Sequence, residues 1–129
     1  MEQNKALGLL SIARKARKIE LGEEPVTALT RLGKARLVLV AADAGAATQQ
    51  KAERLVAGTK QPLVKAPFDK QTLGSAMGYS PVALAAFTDA ALAAAFVKNL
   101  EPAAEYAELL AYLEERAARF KKRAGTKKK

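Results

Sequence analysis

Residues 21–45, with the sequence LGEEPVTALTRLGKARLVLVAADAG, decide the fold. Pro25 suits the first turn of a helix, where its missing N–H is no loss, and Gly33 is typical of the position just after a helix ends. These residues predict a helix over about 24–32. The run RLVLVAA that follows is continuously apolar and rich in β-branched residues, as in a strand covered on both faces. A helix followed by a buried strand therefore lies at the centre of the predicted fold.

Helices and strands alternate on both sides of this unit. The spacing of apolar residues predicts further helices over about 4–17, 46–57, 69–77 and 89–99. Three more short strands are predicted at KIEL (18–21), PLVKA (62–66) and VALAAF (82–87). Asp89 is expected to cap the helix that follows the last strand. Such alternation predicts a small α/β sandwich with helices on both faces of a central sheet.

The composition indicates a basic protein without the usual catalytic side chains. The chain has 129 residues, enough for one domain, and a formal net charge of +9 from 22 Lys and Arg against 13 Asp and Glu. This charge favours a polyanionic partner. The absence of histidine and cysteine excludes the usual catalytic triads and zinc sites, and no Walker-type phosphate loop is present. We expect no enzymatic activity, metal or cofactor.

Two further expectations follow from single features. Asp43 ends the long apolar strand, where α/β enzymes often place a catalytic group, but an aspartate before a turn and a helix is more commonly a cap or turn residue. We expect Asp43 to have that structural part. No apolar run approaches the roughly 20 residues that cross a bilayer, and we expect a cytoplasmic protein.

The composition changes after residue 100. One apolar stripe follows helical spacing, formed by Tyr106, Leu109, Leu110, Leu113, Ala117 and Phe120. This stripe either docks on the domain or provides a groove-binding or self-association surface, so a protein partner or a dimer is an alternative use of it. The last nine residues, KKRAGTKKK, carry six positive charges. We divide the chain into an α/β domain at 1–99, an amphipathic helix at 100–121 and a basic disordered tail at 122–129.

Two segments resemble the ribosomal protein L7Ae family, whose members bind kink-turn RNA. The segments are LGLLSIARKARKIELGEEPVTALTRLGKARLVLVAADA (7–44) and QPLVKAPFDKQTLGSAMG (61–78), and the resemblance spans about residues 4–98. The small bacterial YlxQ-type members are the most similar group. The resemblance implies a three-layer α/β/α sandwich with a mostly four-stranded mixed sheet.

The resemblance also implies a site. In the family, the helix after a conserved glycine places its N-terminal end against sheared G·A pairs, and a later loop covers a flipped-out nucleotide. Carried over to this sequence, the first set comprises Gly22, Glu23, Glu24, Thr27 and Arg31, with Lys34 and Arg36 on the adjoining edge. The loop comprises Tyr79, Ser80, Pro81 and Val82. Tyr79 would either stack on a base or pack locally.

A cluster of four cations precedes the proposed helix start, namely Arg14, Lys15, Arg17 and Lys18. We expect this cluster to contact phosphates. Arg17 stands where bacterial relatives usually have glycine.

Three positions depart from the strong kink-turn binders. Those proteins carry Asn-Glu two and three residues after the glycine and Lys six after it, whereas this chain has Glu24, Pro25 and Ala28. Glutamate cannot donate as an amide does, proline has no polar side chain, and alanine supplies no charge. We predict non-enzymatic binding of structured RNA, kink-turn-like or ribosomal. The alternative is a protein-interaction or self-association module of the same fold that has lost the specific RNA contacts.

Overall fold

The computed structural model describes the backbone of residues 2–127 and the side chains of residues 5–119. The strands are β1 (Ile19–Leu21), β2 (Leu37–Val40), β3 (Leu63–Lys65) and β4 (Leu84–Phe87). The helices are α1 (Glu2–Lys15), α2 (Glu23–Arg31), α3 (Ala46–Val56), α4 (Lys70–Met77), α5 (Ala90–Lys98) and α6 (Ala107–Lys127). A 3-10 turn at Ala103–Tyr106 precedes α6.

The four strands form one mixed sheet in the order β1-β4-β2-β3. β4 pairs antiparallel with both β1 and β2, whereas β2 pairs parallel with β3. Helices α2 and α3 contact one face of this sheet, and α1 and α5 contact it from the other layer, where α4 packs on α1. The predicted α/β sandwich with a four-stranded mixed sheet is confirmed.

The core lies on both faces of the two central strands. All four residues of β2 and all four of β4 are buried, as expected of strands covered by helices on each side. Phe96 of α5 packs its ring against Phe87 and Phe68, with ring centroids 5.6 and 6.4 Å apart. These tilted pairs join α5, β4 and the segment before α4 into one apolar cluster.

Aspartates fix the starts of two helices. Asp89 accepts a hydrogen bond from the Leu92 N–H at 2.9 Å, which confirms its predicted cap of α5. At α4, Asp69 accepts from the Thr72 N–H at 2.7 Å and Asp43 accepts from the Lys70 N–H at 2.8 Å. Asp43 thus joins the end of β2 to the first turn of α4, the structural part expected of it.

Helix α6 docks on the domain through part of the predicted stripe. Leu113 is 1% exposed, and Tyr106, Leu109 and Leu110 are half-buried against the core, where α6 packs on α5. The Tyr112 hydroxyl donates to the Lys60 carbonyl at 2.7 Å, which ties the same helix to the segment after α3. Of the two uses proposed for the stripe, these contacts favour docking.

The bounds of α6 extend through Lys127 and so include much of the segment predicted as a tail. Residues 128 and 129, and the side chain of Phe120 in the stripe, lie outside the described part of the structure. The division of the chain at 99 and 121 stays a prediction. Within the described residues, no helix combines the length and apolarity needed to cross a membrane.

Replacing Leu113 tests the docking of α6. Leu113→Ala should lower the free energy of unfolding by about 2–4 kcal/mol, because a fully buried leucine leaves a cavity. The matched change Leu109→Ala removes the same atoms from a half-buried side chain and should have less than half this effect. Urea denaturation measures both values. If neither substitution lowers stability measurably, α6 does not dock as described.

Candidate nucleic-acid interface

Two of the sequence-predicted segments meet at one end of the sheet. The Gly22 N–H donates to the Leu84 carbonyl at 2.9 Å, which places the start of α2 beside the start of β4. The loop leading into β4 is held by the Val82 N–H, which donates to the Lys70 carbonyl at 3.0 Å. The start of α2 (residues 22–24) therefore lies beside the start of β4, into which the loop of residues 79–82 leads. We call the surface formed by these residues the loop end.

Glycine is required where α2 begins. Gly22 has φ 95° and ψ 166°, a conformation that side chains with a Cβ rarely adopt. No side chain caps α2, although both residues that follow Gly22 are glutamates. The N–H groups of Glu23 and Glu24 belong to the first helical turn, which has no intrahelical acceptors for its donors. This helix start therefore offers backbone donors to a ligand.

Close packing against Gly74 shapes the loop. A Cβ added to Gly74 would lie 2.5 Å from the Ser80 Cα and 2.6 Å from the Tyr79 carbonyl oxygen, so only glycine allows this approach. The Tyr79 N–H also donates to the Gly74 carbonyl at 2.9 Å. With its backbone fixed in this way, Tyr79 projects an aromatic side chain that is 66% exposed. Of the two uses considered for Tyr79, local burial does not describe this side chain.

In two of the predicted contact residues, the side-chain group that would contact RNA is buried. Val82 is 3% exposed and belongs to the core, whereas Ser80 and Pro81 beside it are exposed. The Thr27 hydroxyl oxygen is buried and has no hydrogen-bond partner among the described residues. The predicted direct contacts of Val82 and of the Thr27 hydroxyl are therefore not offered by this structure.

The charges at the loop end are mixed rather than basic. Glu23 forms an ion pair with Lys51 of α3, with 3.3 Å between Oε1 and Nζ, and Glu24 is exposed. Asp43 and Asp69 add two carboxylates at the start of α4. The hydrogen bonds from the backbone and side chain of Thr72 lower the pKa of Asp69, which keeps this carboxylate charged. Lys70, the first residue of α4, adds a second cation beside Lys51. The loop end therefore combines several carboxylate acceptors with two cations.

The predicted cations lie at the opposite end of the sheet. The Thr88 N–H donates to the Lys18 carbonyl and the Arg36 N–H donates to the Phe87 carbonyl, each at 2.8 Å, so Lys18 and Arg36 flank the end of β4. Gly22, in contrast, flanks its beginning. Along the nine residues of α2 the two ends are separated by about 13 Å.

The expectation that these cations adjoin the start of α2 is therefore wrong. The opposite end collects the seven predicted basic residues, which we call the basic end: Arg14, Lys15, Arg17, Lys18, Arg31, Lys34 and Arg36. Chain proximity suggested the expected arrangement, but an intervening strand carries the chain across the sheet.

Three residues beside the loop end, brought there by other elements, were not among the predicted contacts. Lys51, Asp69 and Gly74 are brought there by α3 and α4. The order of strands and helices could have indicated the first two, because the helices α2, α3 and α4 all begin at this end of the sheet. Among the side chains described, no three acidic, histidine or cysteine residues are grouped as a metal site would require.

Solved structures share this fold. A protein of unknown function from Bacillus halodurans is 32% identical, with a TM-score of 0.64 and coverage of 71% of this chain and 96% of that one. An RNA-binding protein of 15.5 kD from Giardia lamblia is 24% identical, with a TM-score of 0.61 and coverage of 76% of this chain and 83% of that one. The comparison with curated proteins gives no match.

The family assignment rests on a longer match. The model of the ribosomal protein L7Ae/L30e/S12e/Gadd45 family matches residues 4–97. This range includes all four strands, α1 from residue 4 onward, and the whole of α2, α3 and α4. The described fold agrees with this match, and the chain belongs to the ribosomal protein L7Ae/L30e/S12e/Gadd45 family.

Proposed function

We propose that this chain is a non-enzymatic RNA-binding protein of the cytoplasm that recognises bent RNA, kink-turn-like or ribosomal, through the loop end. Membership of a ribosomal protein family and the structural likeness to an RNA-binding protein both support an RNA partner. The observation that carries the choice of surface is the hydrogen bond from Gly22 to Leu84, which joins the start of α2 to the start of β4, the strand that follows the exposed loop.

The groups at the loop end suit bases better than phosphates. Proteins read RNA mainly where bends and bulges expose base edges, because the major groove of an RNA duplex is too deep and narrow for side chains. Carboxylates such as that of Glu24 accept hydrogen bonds from the amino groups of bases but repel phosphates. Exposed Tyr79 provides an aromatic face on which an unstacked base can lie.

The three departures from strong kink-turn binders define how this chain would differ from them. Glu24, Pro25 and Ala28 are all exposed on α2, so the changes alter the surface and leave the core untouched. Alanine in place of lysine removes one phosphate contact. The slope of log K against log salt should therefore be less steep by the contribution of one contact. We infer a bent RNA whose recognition depends on the helix start and the loop more than on charge.

The alternative of a protein-interaction module has less support. It would use the stripe on α6, but Leu113 at the centre of that stripe is buried on the domain. Self-association through another surface stays a prediction.

Filter binding across a salt series tests the proposed function. A kink-turn RNA should bind at least about tenfold more tightly than a straight duplex of the same length and composition, because only the bent RNA exposes bases to the loop end. If four to six phosphates are neutralised, log K should fall with log salt with a slope of roughly −3 to −5. Equal affinity for the two RNAs at every salt concentration would contradict recognition of bent RNA.

Two glycine substitutions within helices test the loop. Gly74→Ala should displace residues 79 and 80 and reduce affinity for the kink-turn RNA by about tenfold, because its Cβ overlaps their backbone. Gly8→Ala is the matched control: its Cβ meets nothing within 4 Å, so it should raise stability by about 0.5–1 kcal/mol and leave RNA affinity unchanged.

A third variant tests the loop independently, in case Gly74→Ala fails to fold. Tyr79→Ala keeps the glycine and removes only an exposed ring, so the fold should be retained while affinity for the kink-turn RNA falls by about fivefold. Circular dichroism checks the fold of each variant. Wild-type RNA affinity in both the Gly74→Ala and the Tyr79→Ala variants would exclude the loop from the binding surface.

A further inference from the structure

The basic end concentrates positive charge that forms no ion pair among the side chains of residues 5–119. Lys18 and Arg36 leave adjacent positions on either side of β4, and the other five cations belong to the ends of α1 and α2 and the segments after them. Among the described side chains, the ion pairs are Glu23–Lys51 and Glu115–Arg119, and neither involves this group. Two carboxylates lie nearby: that of Asp89 caps α5, and Glu20 follows Lys18 by two residues in β1 without an ion pair to any described side chain. Repulsion among seven cations that form no ion pair with the described side chains is unfavourable for folding and favourable for binding an anion.

Helix dipoles explain only part of this cluster. Arg14, Lys15 and Arg31 lie in the last turns of α1 and α2, where positive charge offsets the negative end of the helix dipole. The other four residues follow the helix ends, and two of them, Lys18 and Arg36, directly precede the strands β1 and β2. The basic end therefore carries more positive charge than helix stability requires.

Arg17 contributes its positive charge from a strained backbone conformation. Its φ is 59°, in the left-handed region, and among the described residues no other non-glycine residue has a positive φ. The Lys18 N–H donates to the Ala13 carbonyl at 2.8 Å and the Arg17 N–H to the Arg14 carbonyl at 3.1 Å, the two hydrogen bonds of a Schellman helix end. Glycine normally occupies this position because it adopts a positive φ without strain. The Arg17 side chain is exposed, so packing does not account for it.

We propose that the basic end is a second RNA-binding surface, separate from the loop end, that contacts the phosphate backbone of an RNA duplex. Because neighbouring strands are about 4.8 Å apart, Lys18 and Arg36 leave the sheet about 10 Å apart, a width that faces several phosphates. This surface presupposes the proposed RNA partner, but it binds backbone rather than bases. The protein would then hold two RNA segments, one at each end of its sheet.

A membrane surface suits the basic end less well. The exposed large apolar residues nearest to it are Leu32 after α2 and Ile12 on α1, which belong to opposite layers of the sandwich. Peripheral membrane binding uses a continuous apolar face on one element together with the charge, whereas apolar residues exposed singly are common on any surface.

Matched lysine substitutions test this surface on a straight RNA duplex, which requires no recognition by the loop end. The first variant combines Lys15→Gln, Lys18→Gln and Lys34→Gln. The control combines Lys5→Gln, Lys65→Gln and Lys98→Gln, three exposed lysines away from the basic end, so both variants lose the same net charge. Fluorescence anisotropy at several salt concentrations measures affinity, and binding to phosphatidylserine vesicles is measured in parallel.

The first variant should lose at least about tenfold in duplex affinity at 0.1 M salt. Its salt slope should flatten by about 2–3, because each of the three lost phosphate contacts contributes about 0.7–0.9. The control should lose less than threefold. Equal losses in the two variants, or no loss in either, would overturn the proposal. If the first variant loses vesicle binding but keeps wild-type duplex affinity, the proposal is wrong and the basic end binds membranes instead. Failure of the kink-turn preference alone would leave these outcomes unaffected.

Arg17→Gly separates binding from stability. Relief of the left-handed strain should raise Tm by about 2–4 °C, while duplex affinity falls by about fivefold and the salt slope flattens by about 0.7–0.9. Thermal denaturation and anisotropy measure the two effects on the same sample. A variant that binds the duplex like the wild type would contradict the assignment of Arg17 to this surface, and one that loses stability would contradict the conformational strain at Arg17.

Discussion

The antiparallel pairing of β4 with both β1 and β2 is the constraint on which the rest of the structure depends. Phe87 at the end of β4 is paired with Ile19 and Leu37, the first residues of its two neighbours, and Leu84 at its start meets Gly22. This register sends β1 and β2 in the same direction. The start of α2 therefore emerges at one end of the sheet, and the segments that lead into both strands lie at the other.

The register divides the chemistry as well as the chain. The loop end combines helix N–H donors, carboxylates and an exposed aromatic ring, all of which suit the edges and faces of bases. The basic end carries cationic side chains, which suit phosphates. In nucleic-acid recognition, phosphate contacts hold the protein in position and base contacts give specificity. A small domain that separates these two kinds of group is suited to positioning one RNA segment while it reads another.

Local patterns in the sequence predicted most of the fold. All four strands and the five helices of the domain were expected within a few residues of their observed bounds, because apolar periodicity, caps and glycines are local properties. The parts of Asp43 and Asp89 followed from the same kind of observation.

The candidate site was harder to predict, because it depends on strand direction and side-chain orientation. Lys18 is four residues before Gly22, yet one extended strand places them at opposite ends of the sheet. Val82 and Thr27 lie in segments that reach the loop end, but their side chains turn inward. Neither the direction of a short strand in the sheet nor the orientation of a single loop side chain follows from composition.

The most direct test of the two-surface account is an NMR titration of the isotope-labelled 13.7 kDa protein with each RNA in turn. With a straight duplex, amide shifts should change around Lys18 and Arg36 and stay constant at Gly22 and Tyr79. With a kink-turn RNA, the amides of residues 22–24 and 79–80 should change as well. If both RNAs perturb the same end of the sheet and only that end, the division of the RNA contacts between two surfaces is wrong.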